Sequence, residues 1–113
     1  MLVGFLTLAH AQSADVTAEF AQATQAMREG RLDEAGAGFA AVVKESPGFA
    51  EAYFNLGLVR QEQGQYDDAI PSFHKALTLQ PRLHGANLFL GITEFRLNHL
   101  DKAGSAVQKE TVA

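Results

Sequence analysis

A spacing of 34 residues runs through this chain and restricts what it can fold into. Pro47 and Pro81 stand 34 apart, as do Gly30 and Gly64, Gly57 and Gly91, and Leu56 and Leu90. Other columns continue into a third copy: Ala35, Ala69 and Ala103; Asp33, Asp67 and Asp101; Leu32, Tyr66 and Leu100; Phe39, Phe73 and Val107. One such pair means little, but eight columns sharing one offset and keeping their chemistry require a repeated supersecondary unit. Repeats of this length cannot bury their apolar faces singly and gain stability by stacking.

Within each unit the apolar spacing is helical. Tyr53, Leu56, Gly57 and Arg60 fall at i, i+3, i+4 and i+7, one face of an α-helix. Tyr66, Ala69, Ile70, Phe73, Ala76, Leu77 and Leu79 mark a second apolar face. Gly64 lies between the two and is suited to the left-handed conformation that ends a helix, so each unit is predicted to be a helix hairpin. Acidic residues open the second helices and basic ones follow, as the macrodipole favours: Asp33 and Glu34 then Lys44, Asp67 and Asp68 then Lys75, Asp101 then Lys109. Pro81 closes the second helix. Pro71 lies inside it, removes the bond its N–H would make to the Asp67 carbonyl, and predicts a slight bend.

Tyr53, Leu56, Gly57, Ala69, Phe73, Ala76 and Pro81 together resemble the tetratricopeptide repeat, with its W-x2-L-G-x2-Y, A-x3-F and P pattern. Tyr53 stands where the family has tryptophan, and Arg60 departs from its tyrosine. The preceding unit matches at Ala35, Phe39 and Pro47 and departs at Glu19, Gln22, Ala26 and Val42. The following unit keeps Leu90, Gly91 and Ala103, has Val107 for the phenylalanine, and departs at Asn87, Glu94 and Glu110. The resemblance implies an all-α, right-handed α-α superhelix of about three hairpins over residues 16–113, with repeats at 16–49, 50–83 and an incomplete 84–113. Small Gly57 and Ala69 are expected where the helices of a hairpin cross, with Phe73 filling the gap beside them.

At the N-terminus, residues 1–11 carry no charge and form an apolar run too short for a membrane span. The run has the length of a secretory h-region, and Ala9-His10-Ala11 before Gln12 has the small-x-small form of a cleavage site, although a basic n-region is missing. The expectation is export, periplasmic or secreted, after cleavage near Ala11, with residues 12–15 as a linker; the alternative is a cytoplasmic protein whose apolar N-terminal helix covers the first repeat. At the other end the array stops inside a helix with Leu100, Ala103 and Val107 uncapped, which predicts homo-oligomer formation by stacking on a second copy.

The composition narrows the function. The chain is 47% hydrophobic, enough for a core, and its net charge of −4 is the wrong sign for gripping a phosphate backbone, so nucleic acid is not an expected partner. With no cysteine, thiolate catalysis and cysteine-ligated metals are absent. Ser13, Ser46, Ser72 and Ser105 lie outside any nucleophile motif, His10, His74, His84 and His99 form no i, i+4 pair, and no glycine-rich phosphate loop is present. Neither an enzyme nor a cofactor or metal site is therefore predicted.

In tetratricopeptide proteins the first helices line a concave groove. The resemblance implies a groove here made by Phe20, Met27, Phe54, Asn55, Leu58, Leu88, Ile92 and Phe95, gripping a protein or peptide through apolar side chains. The competing reading makes the same stripe ordinary core between neighbouring helices. A clamp for a chaperone tail carboxylate is not expected, because Phe20, Thr24, Phe54, Leu58, Gly85 and Phe89 occupy its positions and only Asn55 suits it. The predicted function is a protein-interaction scaffold or adaptor; the alternatives are a self-assembling structural module and the non-catalytic part of a larger protein or enzyme.

Overall fold

The computed structural model describes the backbone of residues 2–112 and the side chains of residues 15–101. The backbone forms five helices and no strand: α1 (Leu2–Arg28), α2 (Leu32–Glu45), α3 (Ala50–Glu62), α4 (Tyr66–Leu79) and α5 (Ala86–Val112). Each helix packs on its neighbour in sequence, and the first helices α1, α3 and α5 also meet along one side. This is the expected all-α solenoid. The leader run and residues 12–15 fall in the N-terminal part of α1, and the side chains of the expected leader lie outside the described residues.

Two glycines punctuate the array. Gly30 and Gly64 take φ of +77° and +79°. Around each, two amides cap the helix that ends there: Gly64 N–H donates to the Gln61 carbonyl at 3.0 Å and Gln65 N–H to that of Arg60 at 2.8 Å. Gly30 and Arg31 donate in the same way to Met27 and Ala26. Pro47 and Pro81 follow α2 and α4 in equivalent turns, where Phe49 N–H reaches Ser46 and Leu83 N–H reaches Gln80. α4 runs through Pro71 without interruption.

The third unit departs from the expected hairpin. α5 is one unbroken helix, and the position matching Gly30 and Gly64 is Asn98. Without the glycine that adopts positive φ at no steric cost, the helical ladder continues through the turn site. Asp101 therefore lies inside a helix and opens none.

Packing at the hairpin crossings follows the repeat. Phe39 and Phe73 are fully buried, one in each hairpin. In the second, a Cβ added at Gly57 would sit 2.6 Å from Phe73 Cε1, so only hydrogen fits beneath the ring. In the first, Ala23 occupies the matching position, and the room for its methyl comes from Gly38, whose added Cβ would fall 2.8 Å from that of Ala23. The small residue has moved to the opposite helix while the crossing stays close. Leu56 joins Ala23, Ala26, Ala35, Phe39 and Val59 in one cluster, and Ala69, Phe73 and Leu90 form the next. Thr93, buried where the preceding unit has Val59, satisfies its hydroxyl by donating to the Phe89 carbonyl at 2.7 Å.

Gly57→Ala is expected to destabilise the protein by about 1–3 kcal/mol through overpacking against Phe73, despite alanine's better helix propensity. Urea denaturation checks it: a variant as stable as the parent would show that the ring yields freely.

Candidate functional site

The expected groove residues divide in two. Phe20, Phe54 and Leu58 are half-buried and pack between units. Phe20 stacks on Phe49 at 4.7 Å between centroids and meets Phe39 edge-on at 5.6 Å, while Phe54 lies 5.8 Å from Phe73 and 5.9 Å from Phe89. Their rings tie each first helix to the helices around it. Asn55 and Met27 are also half-buried. On α5 the same stripe is more open among the described residues: Leu88 and Phe95 are 64% and 69% exposed, and Ile92 is half-buried between them. With Asn87, Gly91 and Arg96 they line a shallow apolar depression. His99 stacks on Phe95 and does not meet His84, which precedes α5.

A second feature crosses three helices. Met27 and Arg28 of α1, Leu58, Val59, Gln61 and Glu62 of α3, and Phe89 and Arg96 of α5 enclose a cavity of ≈ 430 Å³. Met27, Leu58 and Phe89 supply an apolar floor, while the exposed Arg28 and Arg96 stand on the outer helices and Glu62 between them. Arg28, Glu62 and Arg96 share one register column, each 34 residues from the next. That column was the available signal for this cavity, which the apolar stripe alone did not reveal. Gln61 is buried there with its Oε1 lacking a hydrogen-bond partner. A cavity with an apolar floor, a buried acceptor and exposed guanidinium groups is equipped to bind by contact and charge. Among the described residues, no three His, Asp or Glu side chains gather as a metal site would require, and no helix is long and apolar enough to cross a membrane.

Two models of the tetratricopeptide repeat match the sequence, one over residues 20–60 and one over residues 50–83. The chain belongs to the tetratricopeptide repeat family. No curated protein matches it. Among solved structures, MamA is similar at TM-score 0.71 and 21% identity, over 83% of this chain and 51% of that one. A second MamA structure is similar at 0.71 and 22%, over 84% and 58%. The second tetratricopeptide domain of Spaghetti (RPAP3), bound to the HSP90 peptide SRMEEVD, gives 0.73 and 17%, over 88% and 94%. The chain thus spans about half the length of the first MamA structure, and these likenesses establish the stacked-helix fold.

The family's aromatic position is where the first tetratricopeptide unit carries its cost. Glu19 replaces the aromatic that Tyr53 supplies in the second unit. Burial, then the nearby carboxylates of Glu45 and Asp15, push its carboxyl above the ordinary glutamate range. One of its oxygens is buried without a partner. A raised folded-state pKa means that the native protein holds this proton more tightly than the unfolded chain. The destabilisation is therefore full above the raised value and disappears as pH falls below the unfolded one.

Glu19→Gln is expected to raise the thermal midpoint at neutral pH and to lose that advantage on acidification; an equal gain at every pH would trace the effect to packing. Phe54→Ala should cost about 2–4 kcal/mol, near the values for buried rings, while Phe95→Ala should stay within about 0.5 kcal/mol. Parallel denaturation curves check the contrast, and equal losses would mean that the α5 stripe is covered.

Proposed function

We propose that this protein is a protein-interaction module that holds a peptide segment of a partner along the inner side of α1, α3 and α5. The observation that carries this reading is the cavity spanning all three first helices. Bulky apolar side chains of the partner would rest on Met27, Leu58 and Phe89, and its carboxylates would meet Arg28 and Arg96. The exposed Leu88, Ile92 and Phe95 extend the apolar track beyond the cavity. The RPAP3 relative holding the peptide SRMEEVD supports a peptide as the class of ligand.

The groove differs from a pure apolar slot in its alternating charges. Arg28 and Arg96 flank Glu62, so a bound acidic residue gains most towards either end and least at the centre. Specificity would then come from where the partner's charges sit along the segment, with affinity from the side chains it buries.

Selection of displayed random peptides on the immobilised protein tests this. Enriched peptides are expected to combine bulky apolar residues with Asp or Glu and to bind the Arg28→Glu, Arg96→Glu double variant at least about tenfold more weakly by fluorescence anisotropy. Enriched peptides that hold the charge-reversed protein at parental affinity would locate binding elsewhere on the molecule.

A further inference from the structure

In the second unit α4 closes on α3 through a short set of contacts. Phe73 lies over Gly57, and the Phe54 ring is 5.8 Å from its own. Asp68 pairs with Arg60 at 3.6 Å. Between Asp68 and Phe73 on α4, Ala69 is fully buried. The contacts from 57 to 73 and from 60 to 68 run in opposite senses along the chain, so the two helices are antiparallel.

The repeat carries Phe54, Gly57 and Arg60 to Leu88, Gly91 and Glu94 on α5. Among the described residues this seat is open. A Cβ added at Gly91 would meet nothing within 4 Å, Gly91 and Glu94 are exposed, and Leu88 is 64% exposed. Beyond it α5 continues unbroken past Asn98 and does not turn back.

We propose that this seat receives an α-helix of a partner protein, antiparallel to α5, that presents a Lys or Arg, next a small residue, and a phenylalanine four positions after the small one. The small residue and the ring follow from shape. Gly91 and Leu88 keep what Gly57 and Phe54 supply, bare backbone for a ring edge with an apolar side chain beside it. On the partner these two positions are four apart and share one helical face, as Ala69 and Phe73 do.

The cation follows from the one reversal of sign. Where α3 turns Arg60 towards an acid, α5 offers Glu94. The combined reach is kept, since a long base on the partner facing a short acid on α5 spans the gap that Arg60 and Asp68 span from the opposite sides. Glu94 has the His74 imidazole of α4 at 3.8 Å and still leaves 53% of its side chain exposed. A helix with the acidic residue of α4 would place Asp against Glu94 and be repelled, so the same seat that copies the internal hairpin selects against its internal partner. This contact uses the Gly91 side of α5 and goes beyond the peptide groove on the inner side of the three first helices.

A labelled synthetic helix is the probe: residues 65–80 of this chain with Asp68→Lys, held helical by a hydrocarbon link between positions 71 and 75, both exposed on α4. Titrated by fluorescence anisotropy into the full chain, it is expected to bind saturably, and at least about fivefold more tightly than the same helix with Asp68 retained. Glu94→Lys in the protein should invert that order. Gly91→Leu should weaken binding at least about tenfold by filling the seat, without lowering the helical signal or the thermal midpoint, because the position is exposed. Arg28→Glu, in the three-helix cavity, should leave the affinity unchanged, so failure here and failure of peptide binding in the groove are read separately. Binding that neither Gly91→Leu nor Glu94→Lys alters would overturn the proposal. Refusal of the probe would overturn it too: with concentration-dependent sedimentation of the protein alone, the face would belong to a second copy, and with a monomer throughout, to the chain's own continuation.

Discussion

The close approach of two helices beneath a phenylalanine is the contact on which the rest of the structure depends. Phe39 and Phe73 are buried only because the helix opposite offers almost no side chain at the crossing. Gly57 provides this directly, whereas the first hairpin combines Ala23 with Gly38. Two arrangements of small residues thus give one geometry. The repeat therefore conserves space at the crossing rather than the identity of one residue, since dense packing there leaves no slack for an added methyl.

Helix ends depend on a different property, local backbone freedom. Gly30 and Gly64 adopt positive φ and turn the chain back on itself. Asn98 occupies the third such position, and α5 continues straight through it. A single side chain at a turn site thereby changes the array's third unit from a hairpin to a long helix with an uncovered face. Packing in the first two units is unaffected, because each hairpin closes through contacts with its neighbours in the chain.

Much of this is legible in the sequence. The 34-residue register located the crossings, both glycine turns and the prolines after α2 and α4. The continuous α5 was also legible in principle, since the glycine column ends at Asn98, but counting apolar columns alone carried the hairpin one unit too far. The groove was harder to read. Phe20, Phe54 and Leu58 share a stripe with Leu88, Ile92 and Phe95, yet the first three pack between units and Leu88 and Phe95 are mostly exposed. An apolar residue has the same sequence signature whether a helix or a ligand covers it. The Arg28, Glu62 and Arg96 column carried a clearer mark, because exposed charges repeating at the unit length lie on one side of the stack.

By itself, the sequence determined the helices, their register and the family, because turns and crossings answer to local requirements: positive φ at Gly30 and Gly64, and bare space beside Phe73. Only the tertiary structure decided which apolar side chains remain open and which charges converge on one cavity. Exposure depends on whether another helix lies alongside, and that is a relation between distant segments which no local pattern encodes.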